Sequence, residues 1–184
     1  MGRDIDTLFN TFKEKAEAFT VKVIRCASSK EAEKAINSEL KKGGFKKVVS
    51  VPLEKVNLET IKQQAQKDGI EFITDLNRDV IEQADLGISE FDLGISTLGT
   101  IVQDATDVYK RLVSTLPLTH IAIINTKSLV PTFEDSLDVI QKIYGDELPG
   151  FMAFVTGPSK TADIERVLTI GVHGPEYLIV VCID

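Results

Sequence analysis

Cysteine is scarce in this chain, with Cys26 and Cys182 the only two. A disulfide framework draws on more thiols than that. An iron–sulfur centre takes about four thiolates from one chain, so this chain holds none by itself. Both cysteines lie in apolar, strand-like runs and read as small buried core residues. Histidine is equally rare, His120 and His173, and no convincing set of metal ligands gathers around either. Positive charge is in the minority: Lys and Arg number 21 against 28 Asp and Glu, a net charge of -7. That balance favours solubility and disfavours nucleic acid or an anionic membrane as partner. The one basic cluster, Lys41, Lys42, Lys46 and Lys47, brackets Gly43-Gly44 and fits a solvated helix C-terminus. Long apolar runs are missing too. Ile121–Ile124 and Tyr177–Ile183 are far too short to span a bilayer. Met1–Thr20 is charged and amphipathic, without the apolar stretch of a signal peptide. A reducing cytoplasm fits these absences.

The chain has 184 residues, 43% hydrophobic and 27% charged, the composition of a globular domain. A chain of that length buries roughly two thirds of its unfolded surface without a staple. The spacing predicts a helix within Asp4–Phe19, then a strand at Val21–Cys26. A helix follows at Lys30–Lys42, capped by Ser28 or Ser29 and stopped by Gly43-Gly44. Further along come a strand at Lys47–Val51, a helix from Asn57 to Lys67, a strand at Ile70–Thr74 and a short helix at Asn77–Ala84 with Asp75 as its cap. Leu86–Val102 is rich in Gly, Ser and Thr and reads as short strands with tight turns, where the backbone approaches something closely. His120–Asn125 is a buried strand, Pro131 opens a helix to about Ile143, and Phe151–Thr156 is a strand. Gly157–Lys160 is a turn, Ala162–Leu168 a helix and Tyr177–Ile183 the last strand. That strand is apolar on both faces, as a central one should be. The alternation points to one α/β domain, 1–184, with a mostly parallel, doubly wound sheet, and with residues 1–20 as a helical arm.

Three stretches carry polar groups where chemistry is expected. In the first, Phe151–Thr156 runs into Gly157-Pro158-Ser159-Lys160-Thr161-Ala162-Asp163. A helix start there offers free N–H groups and a dipole to an anion, with Lys160 adding charge and Ser159 or Thr161 a hydroxyl. A plain N-cap accounts for the hydroxyls and acids but leaves Lys160 unexplained, because a cation is unfavourable near a positive helix end. The turn is no P-loop, since Ser159 stands where that motif needs glycine before the lysine. The second stretch is Gly171-Val172-His173-Gly174-Pro175, where His173 reads either as a turn residue at a helix end or as a ligand-binding or acid/base histidine. The third is Thr97-Leu98-Gly99-Thr100, where Gly99 offers a ligand close approach, followed by Asp104 and Asp107, which more often cap a turn than bind a cation. His120, at the head of an apolar strand, reads as structural. Neither Gly87-Ile88-Ser89 nor Gly94-Ile95-Ser96 completes the dinucleotide fingerprint.

The joint run Gly157–Glu165 with Gly171–Pro175, together with Ser114–Ile121 and the tail Ile179–Asp184, resembles the closing signature of the lactate-utilisation protein C group within the LUD-domain family. The likeness covers roughly the C-terminal 100 residues; the first half follows the family only in layout. It implies a fold like that of the NagB/RpiA/CoA-transferase group. It also implies a place in a system that oxidises lactate to pyruvate, where partner proteins carry iron–sulfur clusters and this component carries none, and no cofactor of its own is expected. The pocket residues would be Gly157, Ser159, Lys160, Thr161, Asp163 and His173, with Gly99 and Thr100, receiving a small carboxylate or phosphate. Family members carry an acidic residue before Thr-Gly-Thr, and here Thr97 stands in that place. CoA-transferase chemistry uses a Glu carboxylate as nucleophile, for which a Thr hydroxyl without a base is a poor substitute. The two readings are therefore an accessory, anion-binding component and an enzyme acting on a CoA-linked or phosphorylated small acid.

Overall fold

The computed structural model describes residues 4–162, 168–170 and 174–184, with the backbone alone for 160–162 and 168–170. Six parallel strands form the main sheet: β1 (Lys22–Cys26), β12 (Tyr177–Ile183), β7 (Thr119–Asn125), β4 (Leu86–Glu90), β2 (Lys47–Ser50) and β3 (Glu71–Ile73), in that order across it. The chain moves from β1 to β2 and β3 over one face, then returns through β4, β7 and β12 over the other. The sheet is thus doubly wound, as the alternation of elements predicts.

Helix α2 (Ser29–Gly43) and helix α3 (Leu58–Lys67) cover the first face. Ala32, Ile36 and Leu40 recur at four-residue spacing and are fully buried against Ile61, Val48, Ile88, Ile121 and Val181. Ser28 and Asn57 cap these helices, their side chains accepting the N–H groups of Glu31 and Thr60, and Gly44 at φ 64° closes α2. The opposite face carries helix α1 (Ile5–Ala18), α4 (Arg78–Glu82), α5 (Val108–Thr115) and a second sheet. The N-terminal segment expected as an arm is therefore part of the core: Leu8, Phe9, Phe12 and Ala16 of α1 pack on Ala122, Ile124, Val180 and Cys182. Asn77, not Asp75, caps α4. β12 is buried between these two layers over six of its seven residues, which explains why its sequence is apolar throughout. Burial pushes the Cys182 thiol up to about 12, in keeping with a core residue.

The Gly-, Ser- and Thr-rich stretch resolves into short strands and turns, as its composition predicts. β5 (Leu93–Ile95) and β6 (Thr100–Asp104) pair antiparallel, and with β8 (Leu129–Val130) and β9 (Met152–Val155) they make a four-stranded sheet in the order β8-β5-β6-β9. Its other face is covered by α6 (Phe133–Tyr144), which starts two residues later than Pro131 suggests because Thr132 and Asp135 form a reciprocal capping box.

The helix expected over Ala162–Leu168 is corrected at both its ends: β10 (Lys160–Ala162) and β11 (Leu168–Ile170) pair antiparallel, with Ala162 opposite Leu168, and residues 163–167 between them lie outside the description. The β-branched residues Thr161, Thr169 and Ile170 suit extended backbone, and strand pairing outweighs the cap-like Ser159 and Thr161.

Candidate functional site

β9 delivers the chain to the Gly157 turn. Gly157 takes φ +72°, a conformation that favours glycine, and a side chain there would meet Phe19 at 2.8 Å. Beyond it, the Ser159 N–H donates to the Pro175 carbonyl at 2.9 Å. A Cβ on Gly174 would lie 3.2 Å from the Ser159 Cβ, so the loop ahead of β12 rests directly on the turn after β9. These two loops form one wall of a cavity of about 500 Å³. Ala153, Phe154 and Val155 of β9, with Phe151 and Thr156 on either side of it, and Arg111, Ser114 and Thr115 of α5 complete its lining.

The polar groups around this cavity are tightly specified. The Arg111 Nη1 donates to the Ala105 carbonyl and, at 3.1 Å, to the Thr106 carbonyl, while the guanidinium lies 5.0 Å from the centroid of the Phe151 ring. Ser114 and Thr115 both donate back to the Arg111 carbonyl, at 3.0 and 2.6 Å. Thr156 pairs with Thr100 at 2.7 Å. Among the described residues that line the cavity, none is acidic and Arg111 carries the only charge.

Of the residues singled out from sequence, the structure brings Gly157 and Ser159 to this cavity, and Thr100 to its edge through Thr156. Lys160 and Thr161 follow in β10, their side chains outside the description, and Asp163 and His173 lie outside the described residues. Two expectations need correcting. The Gly157 turn leads directly into β10 rather than into a helix start, so at Lys160–Ala162 the backbone is extended and offers no helix dipole to an anion. Gly99, expected to let a ligand approach, instead admits α1: at φ +63°, a Cβ on it would sit 2.4 Å from the Ala16 nitrogen. The hydroxyl and N–H of Thr97 both donate to the Pro131 carbonyl, at 2.9 and 3.1 Å, which makes it a turn residue. Asp104 accepts the Thr106 N–H and Asp107 caps α5 through the Tyr109 N–H, the capping roles expected of them. Among the described residues no group of three or more His, Cys, Asp or Glu is placed to hold a metal. Arg111 is the residue that sequence reading missed. Nothing in its local pattern sets it apart from other surface arginines, and only the fold brings it to the cavity that the Gly157 turn also lines.

Other polar features are less suited to a ligand. His120 is buried, its Nε2 2.9 Å from the Ser89 hydroxyl and its ring tilted on Phe91, and burial lowers it to about 3. The pair has the contact of a nucleophile and its base, but both are sealed in the core. Doubly wound sheets usually bind ligands outside the carboxyl ends of their strands, where chain direction reverses. Here that point lies between β2 and β4, and Glu90 fills it. Its carboxylate accepts the N–H groups of Glu54 and Lys55 at 2.9 and 2.6 Å and pairs with the Lys55 ammonium at 3.3 Å. A larger groove of about 760 Å³ lies between α2 and α3, but long surface lysines and glutamines of mixed charge line it and no catalytic or binding motif reaches it.

Comparison with known proteins agrees with this architecture. The LUD domain family matches residues 9–183. "Lactate utilization protein C" of Bacillus subtilis is 40% identical over 96 residues, 51% of this chain and 40% of that protein. The protein of the same name from Oceanobacillus iheyensis is 36% identical over 110 residues, 59% of this chain and 47% of that one. The matched stretch thus spans less than half the length of these relatives. A DUF162 family protein from Deinococcus radiodurans shares the fold, with a TM-score of 0.72 over the whole of both chains at 19% identity. Among the described residues no helix is long and apolar enough to cross a membrane.

Proposed function

Since the chain belongs to the LUD-domain family, we propose that it serves lactate utilisation as an anion-binding component working in the cytoplasm beside iron–sulfur partner proteins. The relatives named for that process supply the pathway, and one observation carries the binding role. The Gly157 turn and the Gly174 loop, tied by the Ser159–Pro175 hydrogen bond, share with an arginine the lining of a cavity with no described acid on its walls. A small carboxylate or phosphate is the complementary guest. The partners, not this chain, bring the redox centres in this reading, in line with two cysteines that are both buried.

The alternative, an enzyme acting on a CoA-linked acid, draws little support from the geometry. The hydroxyl that stands in the family's acidic position is held on the Pro131 carbonyl. Two experiments test the proposal. Deletion of the gene should abolish growth on L-lactate, and normal growth would remove the protein from that pathway. Small carboxylates should raise the melting temperature. A ligand at 100-fold its dissociation constant contributes about 2.7 kcal/mol, which in a domain of this size is roughly 5–10 °C. No shift with any anion would refute the binding role.

A further inference from the structure

The guanidinium of Arg111 is fixed in place before any ligand arrives. Its Nη1 is committed to the carbonyls of Ala105 and Thr106, and the Phe151 ring lies against the group. That leaves the edge made by Nε and Nη2, two parallel N–H donors that match the two oxygens of a carboxylate. Arg111 makes no ion pair with any described acidic residue.

The remaining walls decide what the carboxylate is attached to. The hydroxyls of Ser114 and Thr115 spend their protons on the Arg111 carbonyl, and those of Thr156 and Thr100 bond each other. A phosphate or a polyhydroxy acid, with many acceptors to satisfy, would lose hydrogen bonds to water here and gain few in return. Ala153, Phe154, Val155, Pro158 and Pro175 offer hydrocarbon instead. The volume of about 500 Å³ is also generous for a three-carbon acid; it falls in the range of pockets that hold considerably larger molecules.

We propose that Arg111 is the carboxylate anchor of this cavity and that its ligand is a monocarboxylate with an apolar body longer than that of lactate. The inference rests on the anion-binding role proposed above and narrows the anion.

Calorimetric titration of the whole chain with acetate, butyrate, hexanoate, hexanol and inorganic phosphate tests it. Affinity should climb from acetate to hexanoate by about fourfold for each methylene that enters the cavity, and hexanol should bind far more weakly than hexanoate. Arg111→Gln should weaken hexanoate by roughly tenfold or more, the loss of a charge-assisted pair, with Arg111→Lys in between. Ala153→Leu, which narrows the cavity and leaves Arg111 intact, should weaken hexanoate more than acetate, and so supports the assignment even if Arg111→Gln fails to fold. Equal hexanoate binding by wild type and Arg111→Gln overturns the anchor. Phosphate bound more tightly than hexanoate overturns the carboxylate assignment while leaving an anion site in place. Binding of neither overturns both this inference and the anion-binding role.

Discussion

Gly44 and Gly99 allow a backbone effect to be separated from a packing effect within one molecule. Both take a left-handed φ, 64° and 63°. Around Gly44 a Cβ would meet nothing within 4 Å, whereas at Gly99 it would meet the Ala16 nitrogen at 2.4 Å and the Lys15 carbonyl carbon at 2.7 Å. Substitution by alanine costs about 1–2 kcal/mol for the left-handed conformation at either position. About 0.4–1 kcal/mol of that is offset because alanine restricts the unfolded chain. Gly44→Ala should therefore cost about 1 kcal/mol. Gly99→Ala adds a clash with helix backbone, which has no rotamer to change, and overpacking of that kind costs about 1–3 kcal/mol more. α1 should shift rather than leave, because release would forfeit the burial of Leu8, Phe9 and Phe12, about 1.5–3 kcal/mol each. Urea unfolding of the two variants reads the difference directly, with a gap of about 1–3 kcal/mol expected. Equal losses would show that α1 does not rest on Gly99 and would refute the packing argument.

Three further outcomes follow from groups described above. His120 is neutral when folded, and burial lowers it from 6.5 to about 3. The unfolded chain therefore binds its proton first, and stability present above pH 6.5 is lost as pH falls towards 3, by up to about 1.4 kcal/mol per pH unit. His120→Gln should remove that slope from stability measured against pH; parallel curves for the two proteins would contradict it. Glu90→Ala strips the Glu54 and Lys55 amides and the Lys55 ammonium of their shared acceptor, which should cost about 1–3 kcal/mol. Sulfate should restore part of that loss, and a variant indifferent to sulfate would show that no anion site lies beneath the carboxylate. Asp184 receives the Arg25 guanidinium at 2.8 Å, which holds its carboxyl below the usual range, and Arg25 also meets Asp6 at 2.7 Å. Because these groups are partly solvated, Asp184→Asn should cost only about 0.2–1 kcal/mol, less in high salt. A loss of several kcal/mol would mean that the pair is far better shielded than its exposure indicates.

Most of the main sheet was legible because its signals are local. Ser28, Asn57, Gly44 and the apolar run Tyr177–Ile183 each state an end or a face of an element without reference to distant residues. The second sheet was harder to read. β5, β6 and β8 are two to five residues long, and their partners are set by long-range pairing rather than by periodicity. The ends of the expected Ala162–Leu168 helix were misread for a related reason: Ser and Thr suit a helix cap and extended backbone alike, and the choice between them depends on what the segment pairs with. At the candidate site, the proximity of the Gly157 and Gly174 loops was inferred from two separated motifs. Arg111 was not, since an arginine on an amphipathic helix acquires meaning only from what the fold sets opposite it. Gly99 misled for the opposite reason: a glycine marks close approach, and sequence does not say whether the visitor is a ligand or another part of the chain.

The contact between Phe19 and Gly157 joins the two ends of this molecule's behaviour. The turn that frames the cavity leans on Phe19, the residue that closes the N-terminal helix, so docking of that helix and occupancy of the cavity share a free energy. Whatever unlatches the first twenty residues should empty the cavity, and a bound guest should in return hold the N-terminus down by the same amount. Protection of the α1 amides from hydrogen exchange would then report ligand binding in the cavity.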